Sequence, residues 1–112
     1  MGATEAEIEA AVHTVVAALA RPIMRRAASV AASDLRRETP IFLRREDGTL
    51  VEGVVDLAFR EEAADFEWTV VDFKTDRELG LNRAEYTAQV ALYAEAIEKA
   101  TNSKVSGVLL VI

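Results

Sequence analysis

The chain has 112 residues, 51% hydrophobic and 29% charged, enough for one globular domain with a single core and too apolar for a disordered segment. Thirteen basic against nineteen acidic side chains leave a net charge of -6, which excludes a polycation that grips nucleic acid by bulk charge. The absence of cysteine excludes a disulfide framework, a thiolate zinc site, an iron-sulfur cluster and a cysteine nucleophile. No apolar run reaches a membrane span, and the start Met1-Gly2-Ala3-Thr4-Glu5 lacks the pattern of a signal peptide, so the expectation is a soluble, cytoplasmic protein without membrane contact.

The expected elements run as follows. Ala6 to Ala20 reads as a helix behind a Thr4/Glu7 capping pattern, and Pro22 suits the first turn of a second helix that runs through Val30 and closes at Ser33-Asp34. From Thr39 the period shortens: Thr39 to Arg45 and Thr49 to Phe59 read as strands joined at Asp47-Gly48, a strong hairpin signal. Glu61 to Asp65 is a polar break before Trp68 to Lys74, apolar and β-branched enough for a central strand. Asp76 to Leu81, with Gly80, reads as a loop, and Asn82 as the cap of a long helix from Arg83 to about Ala100. Lys104 to Ile112 reads as a last strand with no turn behind it, an unterminated edge that suggests an excised piece of a longer protein.

Charge is uneven. Residues 21–45 carry seven arginines against Asp34 and Glu38, a balance of +5, whereas residues 46–112 carry six basic and fourteen acidic side chains, a balance of -8. Arg36, Arg37, Arg44 and Arg45 are therefore candidates for holding a phosphate backbone beside an acidic site, with a solvated surface as the plain alternative.

Two acids interrupt apolar strands. Asp72 and Lys74 stand two apart, so a strand places carboxylate and ammonium on one face. An ionised residue in a central strand is costly unless paired or metal-bound. Asp56 breaks the run Val51 to Val55 on the neighbouring strand. Two such carboxylates repel each other, and a hard divalent cation such as Mg²⁺ or Mn²⁺ relieves this; a salt bridge from one acid to Lys74 is the structural alternative. Gln89 and Tyr93 lie four apart on one face of the long helix, with Tyr86 on that side, fit for a hydrogen bond to phosphate or for a buried clamp between helix and sheet.

The order Gly53-Val54-Val55-Asp56, then Val70-Val71-Asp72-Phe73-Lys74, then Gln89-Val90-Ala91-Leu92-Tyr93 resembles the RecB-type branch of the PD-(D/E)xK nuclease superfamily, and more narrowly the C-terminal nuclease domain of AddA-type helicase-nuclease subunits (exonuclease V beta subunits), over roughly residues 17–112. The resemblance implies an α/β, restriction-endonuclease-like core with a mixed β-sheet flanked by helices, in one truncated nuclease domain over residues 1–112. It implies Mg²⁺ (Mn²⁺ possible) on Asp56, Asp72 and the backbone carbonyl of Phe73, Lys74 activating the attacking water, and Gln89 and Tyr93 positioning DNA. It further implies a metal-dependent exodeoxyribonuclease serving double-strand-break repair and recombination, whose partners are DNA, the helicase portion of the parent chain and a second helicase-nuclease subunit. The alternative is a non-catalytic docking or DNA-binding module with the same fold. His13 departs from the family's Gly-small-x-x-His run and reads as an ordinary helix-face residue, while Glu38 reads as an accessory ligand or a strand-end salt bridge.

Overall fold

The computed structural model describes residues 12–15, 17–62 and 67–112. The elements in chain order are β1 (Val12–Val15), α1 (Ala17–Ser29), a short 3-10 turn (Ala32–Asp34), β2 (Leu35–Arg44), β3 (Leu50–Arg60), β4 (Trp68–Lys74), α2 (Asp76–Thr101) and β5 (Val105–Val111). The five strands form one sheet in the order β1-β5-β4-β3-β2. Pairing is antiparallel from β2 to β3 and β3 to β4, and parallel from β4 to β5 and β5 to β1. This is the expected mixed sheet flanked by helices.

Side-chain alternation separates two cores. Leu57, Phe59, Val71, Val108 and Leu110 point to one face and pack with Ile23 and Ala27 of α1. Val55, Ala58, Val70 and Val105 point to the other and pack with Tyr93 and Ala94 of α2, and Leu109 and Val111 pack there with Leu79 and Val90. Burial of the strand residues on both faces is what a parallel connection through a covering helix requires.

The β2/β3 hairpin turns where Asp47-Gly48 predicts it. Gly48 takes φ 88°, Arg45 N–H donates to Thr49 O at 2.8 Å, and the Asp47 carboxylate accepts from Thr49 N at 2.8 Å. β2 begins at Leu35, ahead of the expected Thr39, and Pro40 is tolerated because β2 is the sheet's outer strand.

Four expectations need correction. The helix expected over Ala6 to Ala20 falls partly outside the described residues, but Val12–Val15 is a strand, paired parallel with β5 from Val12↔Gly107 to Val15↔Leu110. Three of those four residues are β-branched, and the open edge of β5 supplies hydrogen bonds that outweigh the helical preference of the alanines around them. The second helix starts at Ala17, so Pro22 lies inside it and leaves the carbonyl four residues back, on Ala18, without its amide partner. The segment Asp76 to Leu81 is helical: Thr75 accepts from Glu78 N at 3.2 Å and Glu78 accepts from Thr75 N at 3.1 Å, a reciprocal cap that starts α2 six residues early. Asn82, expected as the cap, sits at a kink with φ -141° and ψ 38°. Finally, β5 is no edge. It lies between β1 and β4 with all seven residues buried, the pattern of a strand covered on both faces.

Candidate active site

The site forms where β3 parts from β4. The two strands pair from Arg60↔Trp68 to Leu57↔Val71 and no further, while β3 continues alongside β2 alone. Beyond that point Asp56 takes over the role of a ladder partner, its Oδ2 accepting a hydrogen bond from Phe73 N at 3.0 Å. Within a strand the N–H and C=O of one residue point to the same edge, and the edge alternates along the chain. Lys74 O accepts from Ile112 N at 2.9 Å on the β5 side, and Phe73 N donates on the β3 side, so the Phe73 carbonyl faces Asp56.

Asp72 and Lys74 share the face covered by α2. Asp72 is 4% exposed, and its Oδ2 lies 3.1 Å from Lys74 Nζ. That contact is an ion pair without hydrogen-bond alignment, since the same buried Oδ2 has no hydrogen-bond partner among the described residues. Burial pushes the Asp72 carboxyl up to about 6; the adjoining Asp56 carboxylate adds to the rise and Lys74 opposes it. Burial acts against the Lys74 charge, but its hydrogen-bonding and charge contacts with Asp72, with Glu78 and Asp56 beyond, outweigh this and hold the ammonium above its ordinary value. On its other side Lys74 Nζ stands 4.8 Å from the centre of the Tyr86 ring, within reach of a cation–π attraction. Of the alternatives open from sequence, the ion pair to Lys74 falls to Asp72, and Asp56 is held by backbone.

α2 carries the remaining candidates. Tyr93 is buried, its ring lying where a side chain at Gly53 would stand. Burial, then the charge of Asp72, raise the phenol's pKa. Gln89 is exposed. The pair is therefore split, with one side chain in the core and one at the surface, rather than joined in a buried clamp. Glu38 lies within β2, not at its end. The register passes from Arg37↔Leu57 to Thr39↔Val55, leaving Glu38 and Asp56 opposite each other and unpaired, and Glu38 adopts φ 45°, a left-handed conformation for a non-glycine residue. Among the described residues it makes no ion pair. His13 is on β1 opposite Val108, not on a helix face, and its side chain lies outside the described residues.

The arginines do not form one patch. Arg36 and Arg44 lie eight residues apart on β2, about 26 Å at the usual rise per residue. Arg36 donates to Ser33 O and Leu35 O, and Arg45 lies 3.6 Å from Glu95. Three features escape sequence reasoning: the stacking of Tyr86 on Lys74, the Gly53–Tyr93 contact, and the backbone irregularity at Glu38. The first two had a signal, an aromatic and a glycine at the right spacing, but their meeting depends on how α2 crosses the sheet.

Two carboxylates, a carbonyl facing them and an unsatisfied Asp72 oxygen form a set of hard oxygen donors suited to a small divalent cation. Among the described residues no group of three acidic, histidine or cysteine side chains converges, so such an ion would use two carboxylates, backbone and substrate oxygens, the pattern usual for Mg²⁺.

The family model of the PD-(D/E)XK nuclease superfamily matches residues 3–112. The chain belongs to this superfamily. Within it, the chain is similar to the AddA-type protein of the ATP-dependent helicase/nuclease of Anoxybacillus flavithermus, 35% identical over 96 residues, and to that of Lysinibacillus sphaericus, 36% identical over 89 residues. These alignments cover 78% and 67% of this chain but 8% and 7% of the relatives. The corresponding protein of Carboxydothermus hydrogenoformans is 48% identical over 60 residues, 50% of this chain and 5% of that protein. No solved structure matches. For a PD-(D/E)XK nuclease the convergence of Asp56, Asp72 and Lys74 at the parting of two central strands is the feature that the fold exists to build.

Proposed function

We propose that this chain is part of a nuclease domain that hydrolyses DNA phosphodiester bonds with Mg²⁺ or Mn²⁺, within an ATP-dependent helicase-nuclease of AddA type. The observation that carries the reading is Asp72: a carboxylate 4% exposed, beside a second carboxylate, with one oxygen lacking an aligned donor. Burial of that kind is costly without a cation to receive it. Asp56, Asp72 and the Phe73 carbonyl would hold the ion, which when bound offsets phosphate charge and lowers the pKa of water.

The chain's own groups supply the rest. Lys74, fixed between Asp72 and the Tyr86 ring, presents an ammonium to the attacking water and to the charge that develops on the phosphate oxygens. Asp56, by accepting from Phe73 N, sets how far its own second oxygen and the Phe73 carbonyl stand apart. Gln89, exposed on α2, is the group available to a DNA strand. Partnership with a second subunit, exonucleolytic action, a role in double-strand-break repair and recombination, and a cytoplasmic setting belong to the same reading, supported by the names of the relatives. No helix among the described residues is long and apolar enough to cross a membrane.

The test is incubation of end-labelled single-stranded and duplex DNA with the protein in Mg²⁺, Mn²⁺ or EDTA, beside Asp72→Ala. Metal-dependent cleavage that disappears in the variant is the expected result. Cleavage that survives in the variant removes Asp72 from the mechanism, and DNA binding without cleavage in any longer form of the chain favours a docking module.

A further inference from the structure

Tyr93 is expected to touch DNA, yet it is 6% exposed and enclosed between α2 and the sheet. A Cβ built at Gly53 would lie 2.5 Å from its phenol oxygen and 2.6 Å from the ring carbon Cε1. The ring thus rests directly on the Gly53 backbone, and only glycine admits it.

The position of that contact matters because of what β3 lacks there. From Leu57 back to Leu50 the strand has lost β4, and only β2 holds it. Even that support is thinned: Val54 pairs with Pro40, which has no amide to donate, and Glu38 and Asp56 drop out of the register. The strand also turns over at this point. Val55 and Ala58 both face α2 while Leu57 faces α1, so the side-chain alternation shifts beside Asp56. A run held along one edge, with a twist inside it, needs a third support, and the Tyr93 phenol lies against the Val54 amide on the vacated side.

We infer that Tyr93 is a positioning residue: seated on Gly53, it pins the unsupported part of β3 so that Asp56, three residues on, reaches the Phe73 amide. Gly53 and Tyr93 are then two halves of one device, and the DNA contact on this helix belongs to Gln89. The consequence for metal binding rests on the proposed reading of Asp56 and Asp72 as ligands, but the mechanical statement does not.

Amide exchange of Phe73, followed by NMR on the 112-residue chain, reads the Asp56 contact directly, with the Val70 amide in the paired part of β4 as the internal control and Mn²⁺ titration as a separate readout. Tyr93→Leu and Gly53→Ala should each speed Phe73 exchange by about tenfold or more, with Val70 unchanged, and Tyr93→Phe, which keeps the ring, by about threefold. Gly53→Ala should add less than about twofold in the Tyr93→Leu background, because the side chain it strikes is gone. Mn²⁺ affinity should follow the same order. If Phe73 exchange stays at the wild-type rate in Tyr93→Phe and Gly53→Ala, or if the effects of Gly53→Ala and Tyr93→Leu simply add, Tyr93 does not position Asp56. Should Tyr93→Leu or Gly53→Ala also lose Val70 protection, Tyr93→Phe alone decides, being the smallest change. Absence of Mn²⁺ binding in the wild type, with Phe73 exchange still responding, would overturn the metal reading and leave the interlock standing.

Discussion

Asp72 carries a stability cost that pH can expose. Its carboxyl titrates near 6 in the folded protein, above the usual value of about 3.9 for an unfolded aspartate. Between those values the folded state holds the extra proton, so the contribution of Asp72 favours folding at low pH and is lost as pH rises through 6. In EDTA, Asp72→Asn should therefore flatten the fall in Tm between about pH 4 and 6 relative to the wild type, a difference on the order of 2 kcal/mol; equal slopes in the two proteins would show that burial does not perturb this acid. Divalent metal should raise the Tm of the wild type and not that of Asp72→Asn. Lys74 offers a second test at this scale. Tyr86→Phe keeps the ring under the ammonium and should retain DNA cleavage, whereas Tyr86→Leu should lower kcat more than it raises KM, by about tenfold if the cation–π contact is worth ~1 kcal/mol. A change in KM alone would place Tyr86 in DNA binding. The carboxylates and lysine are legible in sequence because charged residues interrupt apolar runs. That Asp56 bonds to the Phe73 amide, and that Tyr86 backs Lys74, depends on strand register and helix placement.

At the scale of elements, the site stands at junctions. β4 delivers Asp72 and Lys74 at its end, and the next residue, Thr75, caps α2, so the strand end and the helix start are fixed together. Thr75→Ala removes that cap and should cost about 1 kcal/mol of stability in thermal or urea unfolding. Gly107 of β5 is a tighter constraint, because a Cβ there would lie 2.8 Å from Val90 Cγ1 and 3.2 Å from Val12 Cγ2. Gly107→Ala should destabilise by about 1–3 kcal/mol through overpacking under α2, and a neutral result would mean that the helix moves away without loss. The hairpin, β4 and the main length of α2 follow from local pattern: turn residues, β-branched runs and helical spacing. The early start of α2 does not, since Gly80 and Asn82 speak for a loop and the Thr75/Glu78 cap speaks more strongly for a helix with a kink.

At the scale of the molecule, the sheet is closed on one side by a strand that sequence reasoning assigns to a helix. β1 covers β5, and Arg83 of α2 donates to Thr14 of β1 at 3.2 Å. A chain starting at residue 17 should leave the buried, apolar β5 with an open edge, and should associate or aggregate where the 112-residue chain does not, as size exclusion and light scattering would register. A monomer of unchanged stability would mean that β1 adds little to the sheet. The acidic balance of -6 has a molecular consequence too: the separated arginines of β2 give no single basic surface, so DNA affinity should rest on metal and on a few local contacts. The sequence by itself determined what is local, namely the alternating strands, the hairpin turn, the helical spacing of Gln89 and Tyr93, and the acids and lysine misplaced in apolar runs. Tertiary structure decided what arises from partners distant in the chain. It turned Val12–Val15 into a strand because β5 had an edge to satisfy, moved β5 from the rim to the interior, and buried Tyr93 because Gly53 leaves room for its ring where β3 leaves β4. Propensity acts within a few residues, whereas hydrogen-bond satisfaction and packing are settled only when the whole sheet is assembled.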